Sequence, residues 1–338
     1  MKNEQEKIIR PKGVSVAVCT YNGAKRLAPT FKHLAGQAVD DAIAWEVLLI
    51  DNNSTDDTAT LAQQLWEELK SPVPLCIIRE QTPGVYFARH RAYREAKYKY
   101  LLYVDDDNSL QADYVQTVYA LFEHHPNIAI AVGDSELYVP AGFEIPEWWS
   151  DYASFYAVGS QGEKEGVVEE RLIWTAGAAF RIAALYELYE VVEHELLLTG
   201  RLGEKQASGE DSELGFSLQL LGYDIYYTPK LKFAHHIDPQ RINVDHLKQL
   251  NAGFGAASVV LDMYKKVLRG DHFNWTNAFR KTARSILRKT KNRFRHRGTP
   301  KAQFVQVNLA YSIARLRTLW AYRSRYKQLH RKLEKKFK

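Results

Sequence analysis

Along residues 13–133, short apolar runs alternate with amphipathic stretches. Runs at 14–19, 45–51, 73–79 and 100–104 predict strands, and the stretches 25–38, 56–69 and 84–96 carry apolar residues at helical spacing. A further helix is predicted at 112–125 and a strand at 128–133. This alternation predicts an α/β fold, a doubly wound and mostly parallel sheet flanked by helices, whose ligands bind beyond the carboxyl ends of the strands. Polar groups directly follow three of the strands, as Thr20-Tyr21-Asn22, Asp51-Asn52-Asn53 and Asp105-Asp106-Asp107. They are expected to converge on one crevice.

Past residue 133 the pattern turns irregular and aromatic, with Phe143, Trp148, Trp149, Tyr152, Phe155 and Tyr156 in what reads as loop. Regular structure is predicted again at 174–180, in a helix at 181–192, in a helix at 212–221 after a Gly-punctuated loop, and in two strands at 224–228 and 231–235. From Val244 onward the chain reads as helical, with Gly298-Thr299-Pro300 dividing its last part in two.

With 338 residues, 46% hydrophobic and 25% charged, the chain is long enough for a large core plus an extension. No early segment looks like a signal peptide and no stretch approaches about 18 uninterrupted apolar residues, so secretion and membrane spanning are not expected. Cys19 and Cys76 both fall in apolar runs and read as buried, reduced thiols, which suits the cytoplasm. The net charge of +6 divides unevenly. Residues 265–338 carry 23 Lys and Arg against two Asp and Glu, an excess of 21 positive charges, while the rest of the chain carries 23 against 38 and is 15 negative. An acidic body therefore bears a strongly basic tail, which is expected to meet a polyanionic partner.

Four groups carry candidate chemistry. In "YLLYVDDDNSL", three carboxylates at a strand end repel one another, so burying them in a crevice requires a cation; hard oxygen ligands suit Mg²⁺ or Mn²⁺. A solvated turn with an Asp N-cap explains the run equally well. In "VLLIDNNSTDDT", Asp51 can accept a hydrogen bond from a base imide or a ribose hydroxyl, although a capped turn accounts for it alone. Glu210 and Asp211 follow a Gly-containing loop and open a helix, where either can act as a general base or simply favour the helix dipole. His235 and His236 end a strand and point to opposite faces, so one can ligate a metal and either can be structural.

These groups occur together and in order. "VSVAVCTYNGAKRL", "VLLIDNNSTDDT", "PGVYFARHRA", "YLLYVDDDN", "WTAGAAFR" and "SGEDSEL…LLGYDIYY" resemble the successive motifs of family 2 glycosyltransferases with the GT-A fold, over roughly residues 13–240. The resemblance implies that Thr20, Tyr21 and Asp51 contact a uracil-type base and that Arg89 and Asp105 line the ribose and diphosphate. Asn22, Asn53 and Asp106 join them in the implied nucleotide-sugar set. It also implies that Asp107 and His235 hold Mn²⁺ or Mg²⁺ and that Asp211 is the catalytic base of an inverting displacement. Trp148, Trp149, Trp174, Gly177 and Glu210 stand as acceptor-side candidates, with packing of the irregular insert as the competing role for the tryptophans. The "TAGAAF" segment departs from the family's usual acceptor loop.

The implied division is a polar tail at 1–12, a catalytic domain at 13–240 (nucleotide-sugar half about 13–133, acceptor half about 134–240) and a basic helical extension at 241–338. The expected donor is a UDP- or dTDP-sugar, and the expected acceptor a glycan or a lipid-linked molecule. Two basic amphipathic stretches, one with Phe279, Ala283, Ile286, Leu287, Thr290 and Phe294 on a face and one with Leu309, Ile313, Leu316 and Trp320, suit docking on an anionic membrane surface or packing on the catalytic domain. Beyond about Leu268 the extension is expected to be separable from a folded domain, and the location is expected to be cytoplasmic and peripheral at the inner face of the membrane. Two rivals are a sugar-nucleotide pyrophosphorylase, disfavoured because "TYNGAKR" has one glycine, and a nucleic-acid-binding protein using the tail, for which no motif is visible.

Overall fold

Three βα units open the chain; the strands of the first two are buried on both faces because helices cover both, while the third lies at the sheet edge. The computed structural model describes residues 10–198, 208–299 and 301–337, so most of the polar N-terminal tail, much of the Gly-punctuated loop and Pro300 lie outside the described residues. In chain order the first elements are β1 (Val14–Thr20), α1 (Leu27–Ala35), β2 (Trp45–Asp51), α2 (Thr58–Glu68), β3 (Leu75–Arg79), α3 (Val85–Glu95), β4 (Tyr100–Asp105), β5 (Asn108–Leu110), α4 (Tyr114–His124) and β6 (Ile128–Tyr138). There follow α5 (Trp149–Tyr152), the two-residue strands β7 (Gly159–Ser160) and β8 (Gly166–Val167), β9 (Ala179–Arg181), α6 (Ile182–Tyr186), α7 (Glu210–Leu220) and β10 (Asp224–His236). The last helices are α8 (Val244–Leu268), α9 (Trp275–Arg295), α10 (Lys301–Tyr322) and α11 (Tyr326–Lys336).

The main sheet runs β3-β2-β1-β4-β9-β6-β10-β5. Strands β3, β2, β1 and β4 are parallel, as are β6 and β10, while the short β9 lies antiparallel between β4 and β6. Alternation assigns the side chains to two cores. Val16, Val18, Leu49 and Leu102 pack with Phe31, Trp66 and Phe122 of α1, α2 and α4; Ala17, Leu48, Ile50 and Leu101 pack with Ala88, Ala92, Leu185 and Leu214 of α3, α6 and α7.

Several expectations are corrected. The two strands expected at 224–228 and 231–235 are one strand, β10, whose register against β6 shifts between Tyr227 and Lys232. Pro229 interrupts the pattern there without ending the strand, and the shift fits because a Cβ on Gly133 of β6 would sit 1.8 Å from the Leu231 carbonyl. Of the regular segment expected at 174–180, only Ala179–Arg181 enters the sheet. Residues before it form a turn in which Ala178 N donates to Thr175 O and Gly177 N donates to Tyr103 O. The helix expected at 181–192 is α6 followed by a single wide π turn, Glu187–Val191. Cys76 is exposed, since β3 is an edge strand, and both cysteines are free.

The aromatic insert is ordered. Trp149, Tyr156 and Val158 form a core with Ile237, Ile242, Leu247, Leu250 and Val307, so the insert packs beneath α8 and α10. The C-terminal extension is also built onto the body. Phe216 of α7 packs with Val259, Val260 and Met263 of α8, Leu319 of α10 and Leu333 of α11. Gly255 lets α10 cross closely, since a Cβ there would meet the Tyr311 carbonyl at 2.2 Å. Removing everything past Leu268 would uncover this apolar face of α8, which argues against a separable extension. Among the described residues no helix is long and apolar enough to cross a membrane.

Candidate active site

The parallel strands β1, β2 and β4 end in Thr20, Asp51 and Asp105, and these ends adjoin in the sheet. The Asp105-Asp106-Asp107 run separates into three roles. Asp106 turns inward, accepting from Thr20 Oγ1 at 2.5 Å, from Arg26 Nε at 3.0 Å and from Arg26 Nη2 at 2.7 Å. Burial raises its pKa, and Arg26 opposes that rise. Asp106 and Thr20 thus lock the β1 and β4 ends together. Thr20 and Asp106, both in the nucleotide-sugar set that the resemblance implies, spend these side-chain bonds on each other and on Arg26.

Asp107 faces His235, with Oδ1 at 3.4 Å from Nε2, and Arg241 Nη1 stands 4.0 Å from its other oxygen. Burial acts to raise the Asp107 pKa, but His235 holds it below the usual carboxylate range; burial acts to lower that of His235, but Asp107 raises it. His236 points away, its Nε2 2.8 Å from Ser109 Oγ and its ring against Tyr138 at 4.1 Å. A carboxylate and an imidazole facing each other in a buried setting form a donor set that fits Mn²⁺ or Mg²⁺. Among the described residues the buried Nδ1 of His235 has no hydrogen-bond partner, so neither ring nitrogen is committed there to a strong structural bond.

Asp105 points to the other side of this end of the sheet, toward Arg89 of α3, 3.8 Å away. Burial raises its pKa, Arg89 pulls it down, and Asp107 adds repulsion. Arg89 also reaches Asp211 Oδ1 at 2.5 Å and Glu210 Oε1 at 3.5 Å. Burial works against its charge, but Asp211, Asp105 and Glu210 outweigh it and keep the guanidinium firmly protonated. Thr175 completes the grip on Asp211: its Oγ1 donates to Oδ1 at 2.8 Å and its N–H to Oδ2 at 3.1 Å. The rings of Tyr86, Tyr103 and Tyr189 wall the recess around these groups.

Asp51 is buried and its Oδ1 accepts from Ser54 N at 2.9 Å. Tyr21 is half exposed at the rim. Asn22 and Asn53 both adopt positive φ, and Asn22 Oδ1 accepts from Thr55 N at 2.8 Å, so Asn22 ties the β1 and β2 loops together. Gly177 has φ +70, and a Cβ there would approach the Phe233 ring at 2.7 Å. Its carbonyl accepts from Tyr114 Oη at 2.6 Å.

Of the two roles open to the tryptophans, the structure shows packing. Trp149 is buried in the insert core and Trp148 packs with Tyr152 and Phe304, so neither lines the recess. Trp174 packs on the sheet core, beside the turn that carries Thr175. Arg26, Thr175 and Arg241 were missed from sequence. Arg26 was detectable as a cation six residues past Thr20 and opposite an acidic run; Thr175 lay inside the quoted "WTAGAAF" segment.

The model for "Glycosyl transferase family 2" matches residues 15–168, and that for "Glycosyl transferase family group 2" matches residues 100–278. A cholesterol galactosyltransferase from Borreliella burgdorferi is 26% identical over 114 residues, covering 34% of this chain and 30% of that protein. The alignment thus spans under a third of the curated relative's length. Among solved structures, S. aureus TarS residues 1–349 in complex with UDP-GlcNAc is 17% identical with a TM-score of 0.49, covering 94% of this chain and 92% of the other. The longer TarS structure is 18% identical with a TM-score of 0.49, covering 96% and 55%. With one family model matching over half the chain and the other most of the remainder of the sheet, this chain belongs to glycosyl transferase family 2.

Proposed function

We propose that the chain moves a sugar from a UDP- or dTDP-sugar to a hydroxyl of a glycan or lipid-linked acceptor, inverting the anomeric carbon, in cell-surface glycan or polysaccharide synthesis. One observation carries this reading: Arg89 links Asp211, at the start of α7, to Asp105, at the end of β4. A proton acceptor and a diphosphate-side carboxylate therefore share one cation in one recess. Asp211 takes the proton of the acceptor hydroxyl as its oxygen bonds to C1, while the C1–O bond to the diphosphate breaks and the electron pair leaves with the phosphate. Thr175 holds the Asp211 carboxylate in orientation, and Arg89 is placed to move from Asp211 toward the charge developing on the diphosphate.

Asp107 and His235 are the residues that would hold Mn²⁺ or Mg²⁺, an ion that when bound supplies positive charge to the leaving diphosphate. Asp51, Tyr21 and Asn53 remain the nucleoside-side candidates, and Asp105 and Arg89 the diphosphate-side ones. The relative named as a cholesterol galactosyltransferase supports a lipid-borne acceptor. The division of charge supports a cytoplasmic chain resting on the inner face of the membrane. Titration calorimetry of UDP with Mn²⁺ and with EDTA tests the donor side. Affinity is expected to fall at least about tenfold without metal, and equal affinity in both would overturn the metal assignment.

A further inference from the structure

Helices α9 and α10 form an antiparallel hairpin whose inner face is fixed by contacts. Lys289 Nζ donates to Asn308 O at 2.9 Å and to Ser312 Oγ at 2.8 Å, Trp275 Nε1 donates to Leu319 O at 2.7 Å, and Thr282 is buried. The outer face is left to solvent. Leu287 and Phe294, seven residues apart on one line of α9, are each 71% exposed. Arg280, Arg284, Arg288 and Lys291 recur at three- or four-residue spacing along the adjoining line and are all exposed. A large apolar pair bordered by a basic stripe is the arrangement of a helix that lies in a lipid interface.

We propose that this face of α9 docks the protein on an anionic bilayer, Leu287 and Phe294 entering the headgroup boundary while the basic stripe meets lipid phosphates. Charge complementarity singles out the extension, because the rest of the chain is net negative and would be repelled by the same surface. Packing then sets what faces the lipid. The hairpin turn lies against the aromatic insert, where Phe304 of α10 stacks on Tyr152 at 5.8 Å. Tyr156 of that insert donates to the Arg241 carbonyl at 3.2 Å, and Arg241 Nη1 stands 4.0 Å from Asp107. A chain of contacts thus runs from the docking hairpin to the Asp107 end of the recess. Docking itself does not depend on the transferase reading; only the identity of the delivered acceptor does.

The test is flotation of the full chain with phosphatidylglycerol-containing vesicles and with phosphatidylcholine vesicles, alongside a fluorescent DNA-binding titration. Wild type is expected to float with the anionic vesicles only and to be released at about 1 M salt, where screening shortens to about 3 Å. Leu287→Ser with Phe294→Ser, and separately Arg284→Glu with Arg288→Glu, should each lower the bound fraction by on the order of tenfold. All four side chains are exposed, so melting and UDP affinity should be unchanged, which separates failure of docking from failure of the donor reading. Absence of flotation at low salt, flotation that survives both double substitutions, or DNA binding tighter than vesicle binding and indifferent to the Leu287 and Phe294 changes would each overturn the proposal.

Discussion

Arg89 Nη1 lies 2.5 Å from Asp211 Oδ1, the same oxygen that accepts from Thr175 Oγ1. The other oxygen, Oδ2, accepts from Thr175 N, so both oxygens of the carboxylate are held in place. In the proposed mechanism a diphosphate draws Arg89 away from Asp211 and so frees the base. On this argument Asp211→Asn keeps the shape and UDP affinity but lowers kcat by at least about 10²-fold, the usual worth of a positioned base. Steady-state kinetics with an identified acceptor checks it, and wild-type turnover would remove Asp211 from the mechanism.

Replacing the cation has a different signature. Arg89→Met would leave Asp105, Glu210 and Asp211 in a buried recess with no guanidinium, and breaking such a group from one side costs about 3–5 kcal/mol. The expected result is a large fall in the urea midpoint at neutral pH, relieved by acidification as the carboxylates protonate. A melting curve indistinguishable from wild type at both pH values would mean that other groups neutralise the recess.

Adjacent aspartates should separate just as cleanly. Asp106 is consumed by Thr20 and Arg26, whereas Asp107 faces His235. Asp107→Asn is therefore expected to cost about tenfold or more in Mn²⁺-dependent UDP affinity. Asp106→Asn is expected to keep metal dependence and lose about 1–3 kcal/mol of stability. The reverse pattern would shift the metal register by one residue.

The parallel half of the sheet was legible because β1, β2 and β4 are covered on both faces and so read as apolar runs, bounded by residues with strong turn chemistry. The convergence of Thr20, Asp51 and Asp105 followed from topology alone. What escaped was long-range pairing. No local signal says that Asp106 rather than Asp107 is captured by Arg26, eighty residues earlier in the chain, or that Thr175 reaches Asp211. The insert read as loop because its aromatics follow neither a two- nor a 3.6-residue period; they pack on α8 and α10, which come far later in the chain. The extension was ambiguous for a physical reason: a basic amphipathic stripe fits a core or a bilayer equally, and here Leu309 and Leu319 took the first use while Leu287 and Phe294 stay exposed.

Gly177 offers a stability test of the turn that presents Thr175. Its φ of +70 disfavours any side chain, and a Cβ would also press on the Phe233 ring and on Tyr114 Oη at 2.8 Å. Gly177→Ala is expected to destabilise by about 1–3 kcal/mol and, by displacing Thr175, to lower kcat more than it raises the donor KM. A variant as stable as wild type would show that the turn accommodates the methyl group.

Glu213, two residues past Asp211, is fully buried and accepts from Leu197 N at 2.8 Å, Leu198 N at 2.7 Å and Tyr264 Oη at 2.7 Å, while His194 Nε2 lies 2.8 Å from that same Tyr264 oxygen. With Glu213 ionised, the single hydroxyl proton goes to it and His194 is the donor to Tyr264. Burial pushes Glu213 up to about 7 and His194 down to about 4. Between the ordinary carboxylate pKa and about 7, the folded state holds a proton on Glu213 that the unfolded chain has lost, so this group's contribution falls as pH rises, by about 1.4 kcal/mol per unit. Between about 4 and the ordinary imidazole pKa, the folded state lacks a proton that the unfolded chain carries on His194, so its contribution rises with pH at the same slope. Over the shared window the two offset one another. The charges bearing on His194 are Lys336 and Lys332, not Glu213, so removing one partner leaves the other's slope in place. Relative to wild type, Glu213→Gln is therefore expected to lose stability on acidification from about pH 6.5 to about pH 5, and His194→Gln to gain it, each by on the order of 1–2 kcal/mol. Urea unfolding at the two pH values measures both, and parallel behaviour of the two variants and wild type would show that neither group is held in the protonation state its burial implies.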